Sequence, residues 1–323
     1  MNLIVNKKGF FALLLSSIFA LILTLLPWES WRNAEYVDRL YYVAYIDELT
    51  NKIYWFDFDS IKNKLTNEWL WHKILDISTE TFNLTSEEIL FFISFFITSC
   101  ASIFLVKRYG YLSVVFLVNP VFIDFMYSQL RLAFATAVLF TSYYFFKKNK
   151  FIALILLLTT PFIHTSSVIF ISIFIISLVF ENLEKIRSLY KTILSILIGT
   201  FFGVITGPLM STILTAIGDR RAEYQDMTSS ISYMSFWLVI FLYLCIKGIF
   251  EKQKRNMSFY LSLITLALVS VQTILGGYPV RYIAAFFPFL IAGLIETKAK
   301  EQPIIILVYF LYTFLLWILW TNN

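Results

Sequence analysis

Four arginines, Arg131, Arg220, Arg221 and Arg281, stand apart from the other basic residues of a 323-residue chain that is 59% hydrophobic. They lie at the ends of apolar runs, in "SQLRLAFATAV", "GDRRAEY" and "GGYPVRY", rather than in lysine clusters. A guanidinium is always charged and offers a planar fork that fits two oxygens of a phosphate, so the chemistry on offer is anion binding. Gln129, Tyr224 and Tyr282 stand close by in the sequence as neutral hydrogen-bonding partners. His164, in "TTPFIHTSS", adds a group suited to proton transfer near neutrality. It is one of two histidines; the other, His72, sits among tryptophans in "NEWLWHKILDI" and reads as an interfacial residue. The ordinary explanation of the arginines is snorkelling at an interface or a salt bridge to an acid such as Asp124, Asp219 or Glu223. For His164 it is a hydrogen bond at a helix end. A charge kept inside a membrane segment is costly, and this favours a functional role for Arg131 in particular.

The elements that must position these residues are transmembrane helices. Charged residues make up only 15% of the chain and the mean hydropathy is +0.75, which excludes a water-soluble domain of this size. Apolar runs fall at 9–27, 89–106, 111–127, 130–146, 151–163, 165–180, 192–214, 231–250, 257–275, 282–295 and 303–320. The sequence thus predicts an all-α, polytopic membrane protein of about eleven spans, residues 1–323 forming one integral membrane domain. The N-terminal run is long and lacks a small-residue cleavage site, so it reads as a retained first span rather than a signal peptide. Residues 28–88, rich in Trp, Tyr and acids, read as an external loop of short helices lying on the membrane.

The stretch 151–180 is either one tilted helix or two short ones broken at "TTPFIHTSS", and the basic residues decide between them. Two helices place sixteen of the 26 lysines and arginines on the inner side, whereas one helix places only ten there. The first choice puts the N-terminus inside and leaves the four arginines as the only outward basic residues beyond the loop. Residues 151–163 would rise roughly 20 Å, short of an apolar core of about 30 Å, which recesses His164 from the outer surface. Ser128 is a candidate N-cap for the helix carrying Arg131, and a helix N-terminus with an arginine suits an anion. In "GGYPVRY", Gly276, Gly277 and Pro279 break the helix just before Arg281.

Other chemistry is poorly represented. The net charge of +5 is spread over short loops as a topology signal and does not point to nucleic acid. Asp57 and Asp59 in "WFDFDS" imitate the D-x-D of nucleotide-sugar transferases, but an outward loop meets no nucleotide sugars. No His/Asp/Glu cluster has metal-ligand spacing, no glycine-rich phosphate loop follows a strand, and no nucleophile elbow occurs, so neither metal nor cofactor is expected. Cys100 and Cys245 lie in apolar runs and read as small hydrophobes. A transporter would place paired charges near the midplane and show repeat symmetry, neither of which is visible. An acyltransferase would want a buried His with an acid partner facing the cytoplasm, whereas His164 faces out.

The segment "NPVFIDFMYSQLRLAFATAVLFTSYYFFKKNKFIALILLLTTPFIHTSSVIF", residues 119–170, resembles the EpsG-like group of Wzy polysaccharide polymerases. The shared pattern is Asn-Pro, then Ser-Gln-hydrophobic-Arg, a basic turn, and a His followed by hydroxyl residues. The aromatic first loop and the late "PVRY" are also similar, while the Gly-x-Asp usual before the early tyrosine motif is replaced by "NAEYVDRLYY", with Asp38 as its acid. The resemblance implies a membrane glycosyltransferase of GT-C-like architecture in the bacterial cytoplasmic membrane, its active site facing the periplasm or exterior. Its substrates would be oligosaccharide repeat units on undecaprenyl pyrophosphate, for O-antigen, capsule or exopolysaccharide. Arg131 and His164 would be catalytic, with Gln129, Arg281, Tyr282, Arg220, Arg221, Tyr224 and Asp38 binding pyrophosphate or sugar. Membrane lipids, a flippase and a chain-length regulator would be its companions. A lipid-linked oligosaccharide flippase and an O-antigen-type ligase are the competing readings.

Overall fold

A computed structural model describes residues 7–32, 34–48, 56–146, 148–217, 229–251, 253–297 and 300–322, and among them every regular element is a helix. In chain order these are α1 (Lys7–Leu25), α2 (Trp28–Trp31), α3 (Val37–Asp47), α4 (Ile61–Thr66), α5 (Trp69–Glu80), α6 (Ser86–Tyr109), α7 (Pro120–Tyr127), α8 (Leu130–Phe146), α9 (Lys150–Ile163) and α10 (Ser167–Asn182). They continue as α11 (Ser188–Thr206), α12 (Met210–Ile217), α13 (Ser235–Phe250), α14 (Met257–Leu275), α15 (Pro279–Ala285), α16 (Phe287–Ile295) and α17 (Gln302–Asn322), with 3-10 turns at Tyr111–Leu117 and Ile231–Tyr233.

Four helices, α6, α11, α14 and α17, are long and apolar enough to cross a membrane, and a fifth span results if the bent pair α7 and α8 is counted as one. The chain is therefore an all-α membrane protein. Several of the apolar runs are interrupted where backbone chemistry requires it. Gly110 ends α6 with φ +88°, and the run that follows divides at Asn119-Pro120, where the Asn119 side chain caps α7 by accepting from the Val121 amide at 3.0 Å. Gly207-Pro208 stops α11, and Pro288, with no amide hydrogen to give, separates α15 from α16.

Residues Met1–Val168 and Leu319–Asn323 form one compact unit, and Ile169–Ile318 form another. The first contains the loop 28–88 and the helices around it. Its core joins Tyr42, Tyr45 and Ile46 of α3, Trp71 and Leu75 of α5, Ile89, Leu90 and Ile93 of α6, Leu130 of α8 and Ile163 of α9. His72 belongs to this buried region rather than to an interface: its Nδ1 lies 2.6 Å from the Tyr45 hydroxyl, and Phe56 packs on its ring. Trp320 closes the unit from the far end of the sequence, its indole N–H donating to Asp124 at 2.8 Å while its ring meets Trp28 and Tyr36.

In the second unit α11 and α14 pack at small residues. A Cβ on Gly199 would run into the Ile264 carbonyl and the Ala267 side chain, and one on Gly203 would come within 2.7 Å of Val271. The two glycines are four residues apart, the spacing that lets helix backbones approach closely in lipid.

Candidate functional site

The sequence-predicted pair Arg131 and His164 is brought together by a residue the sequence reading missed, Glu68. One oxygen of its carboxylate accepts from Arg131 Nη1 at 2.7 Å, and the other lies 2.6 Å from His164 Nδ1 and accepts from the Thr165 amide at 3.2 Å. Arg131 Nε in turn donates to the Tyr42 hydroxyl at 3.0 Å. Four segments of the first unit thus converge: α3, the turn between α4 and α5, the start of α8, and the break after α9.

Local sequence explains each placement. Arg131 is the second residue of α8, which begins where the chain turns by 101° from α7. Ser128 does not cap α8: it terminates α7, its amide donating to the Asp124 carbonyl at 2.9 Å, and the first turn of α8 rests on the Gln129 carbonyl instead. His164 follows α9, which carries Pro161 in its last turn. Proline cannot donate to the Leu157 carbonyl four residues back, and the Thr160 hydroxyl does so at 2.8 Å, which keeps that group satisfied within the apolar helix. The helix then stops and His164 is extended, with φ −151° and ψ 116°. Thr165 fastens the break to the loop, its hydroxyl donating to the Leu65 carbonyl at 2.9 Å. The hydrogen bond expected of His164 at a helix end is made by its ring to the Glu68 carboxylate.

Glu68 is 4% exposed and has φ 55° and ψ 48°, a left-handed conformation that is uncommon outside glycine, asparagine and aspartate. Its carbonyl accepts from the Trp71 and His72 amides, so the same residue starts α5 and reaches into the site. Burial pushes its carboxyl up; the His164 ring and the hydrogen bond to it, Arg131 and the Thr165 amide outweigh that and hold it well below the usual carboxylate range. Burial also pushes the Tyr42 phenol up, the opposing pull of Arg131 notwithstanding, so the hydroxyl keeps its proton.

The cluster is not sealed. The Arg131 side chain is 31% exposed and that of His164 16%, against 5% for Glu68. Glu68 thus lies behind a guanidinium and an imidazole that are partly exposed. Arg131 Nη2 and His164 Nε2 make no hydrogen bond among the described residues, which leaves one donor edge and one ring nitrogen for a ligand.

The remaining predicted residues are distributed more widely. Gln129 adjoins the cluster in sequence, with its Oε1 buried and without a hydrogen-bond partner. Asp38 is exposed on α3, one turn before Tyr42 and close enough to act on that phenol electrostatically. Arg281 and Tyr282 belong to the second unit, where the Arg281 guanidinium covers the Tyr278 ring at 4.5 Å and Tyr282 is buried against Phe170. Arg220, Arg221 and Tyr224 lie outside the described residues, as do Asp219 and Glu223. Asp124, the other acid considered for Arg131, instead faces Arg32 at 3.8 Å. Asp57 of the D-x-D accepts from the Asp59 amide and binds Asn63 and Asn67, which is the work of a loop turn. Among the described residues no group of three His, Cys, Asp or Glu side chains is placed to hold a metal ion.

Comparison with protein-family models, with curated proteins and with solved structures gives no match to this chain in any of the three.

Proposed function

We propose that this protein is a membrane glycosyltransferase that polymerises oligosaccharide repeat units carried on undecaprenyl pyrophosphate. The observation that carries the reading is the open guanidinium and imidazole held by one buried carboxylate at the loop side of a helical membrane unit. A polyprenyl pyrophosphate donor asks for both of these groups and for no nucleotide site.

In this reading His164 Nε2 takes the proton of an acceptor hydroxyl as its oxygen attacks the anomeric carbon of the growing chain. The bond from that carbon to the pyrophosphate oxygen breaks, the electron pair leaves with the pyrophosphate, and Arg131 meets the developing charge. A single displacement inverts the anomeric centre. Gln129 and Asp38 would contact sugar or phosphate, and the outward arginines Arg220, Arg221 and Arg281 with Tyr224 and Tyr282 would serve the second lipid-linked unit. The topology that goes with the reading has eleven spans, including short and broken ones, in a GT-C-like arrangement. It puts residues 28–88 outside the cytoplasmic membrane of a bacterium, with a flippase and a chain-length regulator acting in the same pathway.

Purified protein incubated with lipid-linked repeat units should build a ladder of longer glycans, and a deletion strain should carry only single-unit products. A strain with full-length polymer left on its lipid carrier would indicate a ligase. Accumulation of repeat units at the inner face would indicate a flippase. Either result overturns the polymerase.

A further inference from the structure

We infer that Glu68 is the positioning residue of this site, holding the His164 ring with its proton on Nδ1 and so leaving Nε2 as the basic nitrogen. The argument begins with valence. An ionised carboxylate only accepts, so the 2.6 Å contact with His164 Nδ1 requires the proton to sit on that nitrogen. The neutral ring then has its lone pair on Nε2, which is the atom a general base needs.

A second, independent observation comes from the backbone. Glu68 keeps a left-handed φ of 55°, a conformation that is costly for a residue with a Cβ and that persists only where the surroundings impose it. Nothing in starting α5 calls for glutamate at this position; a glycine or asparagine would take the same turn with less strain. What glutamate adds is reach. Its carboxylate spans from the turn to Arg131 on one oxygen and to His164 and Thr165 on the other, and the side chain is buried while its partners are not. One group thereby sets the orientation of both the base and the cation, with Tyr42 fixing the remaining Nε–H of Arg131.

The assignment deepens the glycosyltransferase reading and rests on it for its catalytic meaning, but ring orientation can be read without turnover. The chain has only two histidines, so protein carrying isotope-labelled histidine gives two sets of ring-nitrogen resonances, assigned by the loss of one set in His164→Gln. At a pH where the ring is neutral, the wild-type His164 should be protonated on Nδ1 alone. Glu68→Gln, which keeps volume and loses charge, should yield a mixture of both tautomers. In the polymerisation assay it should lower turnover about 10²- to 10⁴-fold with little change in KM. A wild-type ring protonated on Nε2 overturns the assignment whatever the variants do, as does a Glu68→Gln protein with unchanged tautomer and unchanged turnover. If wild-type protein fails to extend lipid-linked units while the tautomer result stands, the reaction is wrong and the positioning role survives.

Discussion

Glu68 meets a guanidinium and an imidazole with one carboxylate, and its behaviour with pH follows from that. Its folded-state carboxyl titrates below the value of about 4.3 that glutamate has in an unfolded chain. Stabilisation is therefore complete above that value and is lost as pH falls through the folded one. The melting-temperature gap between wild type and Glu68→Gln in detergent should be widest near neutrality and close as the pH is lowered below about 4; a constant gap would show that the charge of Glu68 does not matter. Arg131→Lys keeps a charge but cannot serve Tyr42 and Glu68 from fixed donors while offering a third edge to phosphate, so turnover should fall at least tenfold, each charge-assisted bond being worth about 1.5–3 kcal/mol. Retained full-length polymer at normal expression would remove the guanidinium from the mechanism. If His164 is the base, His164→Gln should lose most turnover at neutral pH although the amide keeps a donor and an acceptor. Arg131 and His164 were legible as isolated polar residues in apolar surroundings. Their partner was not, because Glu68 lies 63 residues from one and 96 from the other and looks in sequence like any acid of an aromatic loop.

Helices were the most legible elements, since long apolar runs in lipid must satisfy their own backbone groups. α6, with its Thr85–Glu88 capping box and its basic last turn, could be read almost to its ends. The break at His164 was also visible, as a proline beside a polar cluster. Less visible were interruptions that keep the apolar character unchanged, such as Phe286 between α15 and α16, where composition carries no signal and only Pro288 hints at the division. A further signal in plain sight was the Gly199–Gly203 spacing of α11. Overpacking there should be severe: Gly199→Leu drives a side chain into the Ile264 carbonyl, a backbone group that cannot swing away, and should cost about 1–3 kcal/mol or more. Size-exclusion profiles of a fluorescent fusion would show it as a loss of the monodisperse peak, while Thr200→Leu, one residue along, serves as the control for added bulk.

At the scale of the whole molecule, the proposed topology separates two exposed lysines, Lys62 in the loop 28–88 and Lys185 after α10. With Cys100 and Cys245 replaced, an impermeant thiol reagent should label Lys62→Cys on intact spheroplasts and reach Lys185→Cys only after permeabilisation. Labelling of both from outside would overturn the division of 151–180 into two short spans. Composition sufficed to place the chain in a membrane; it could not foresee that residues 319–323 would join the first unit, because that association depends on a bond across 196 positions between Trp320 and Asp124. This bond carries a consequence for biogenesis. Helices of the first unit enter the bilayer early in translation, yet the aromatic seat formed by Trp28 and Tyr36 stays vacant until the ribosome has made the chain through Trp320. Through that interval Asp124 lacks its indole donor, so the packing of the earliest helices around it is finished only by a residue made long after them.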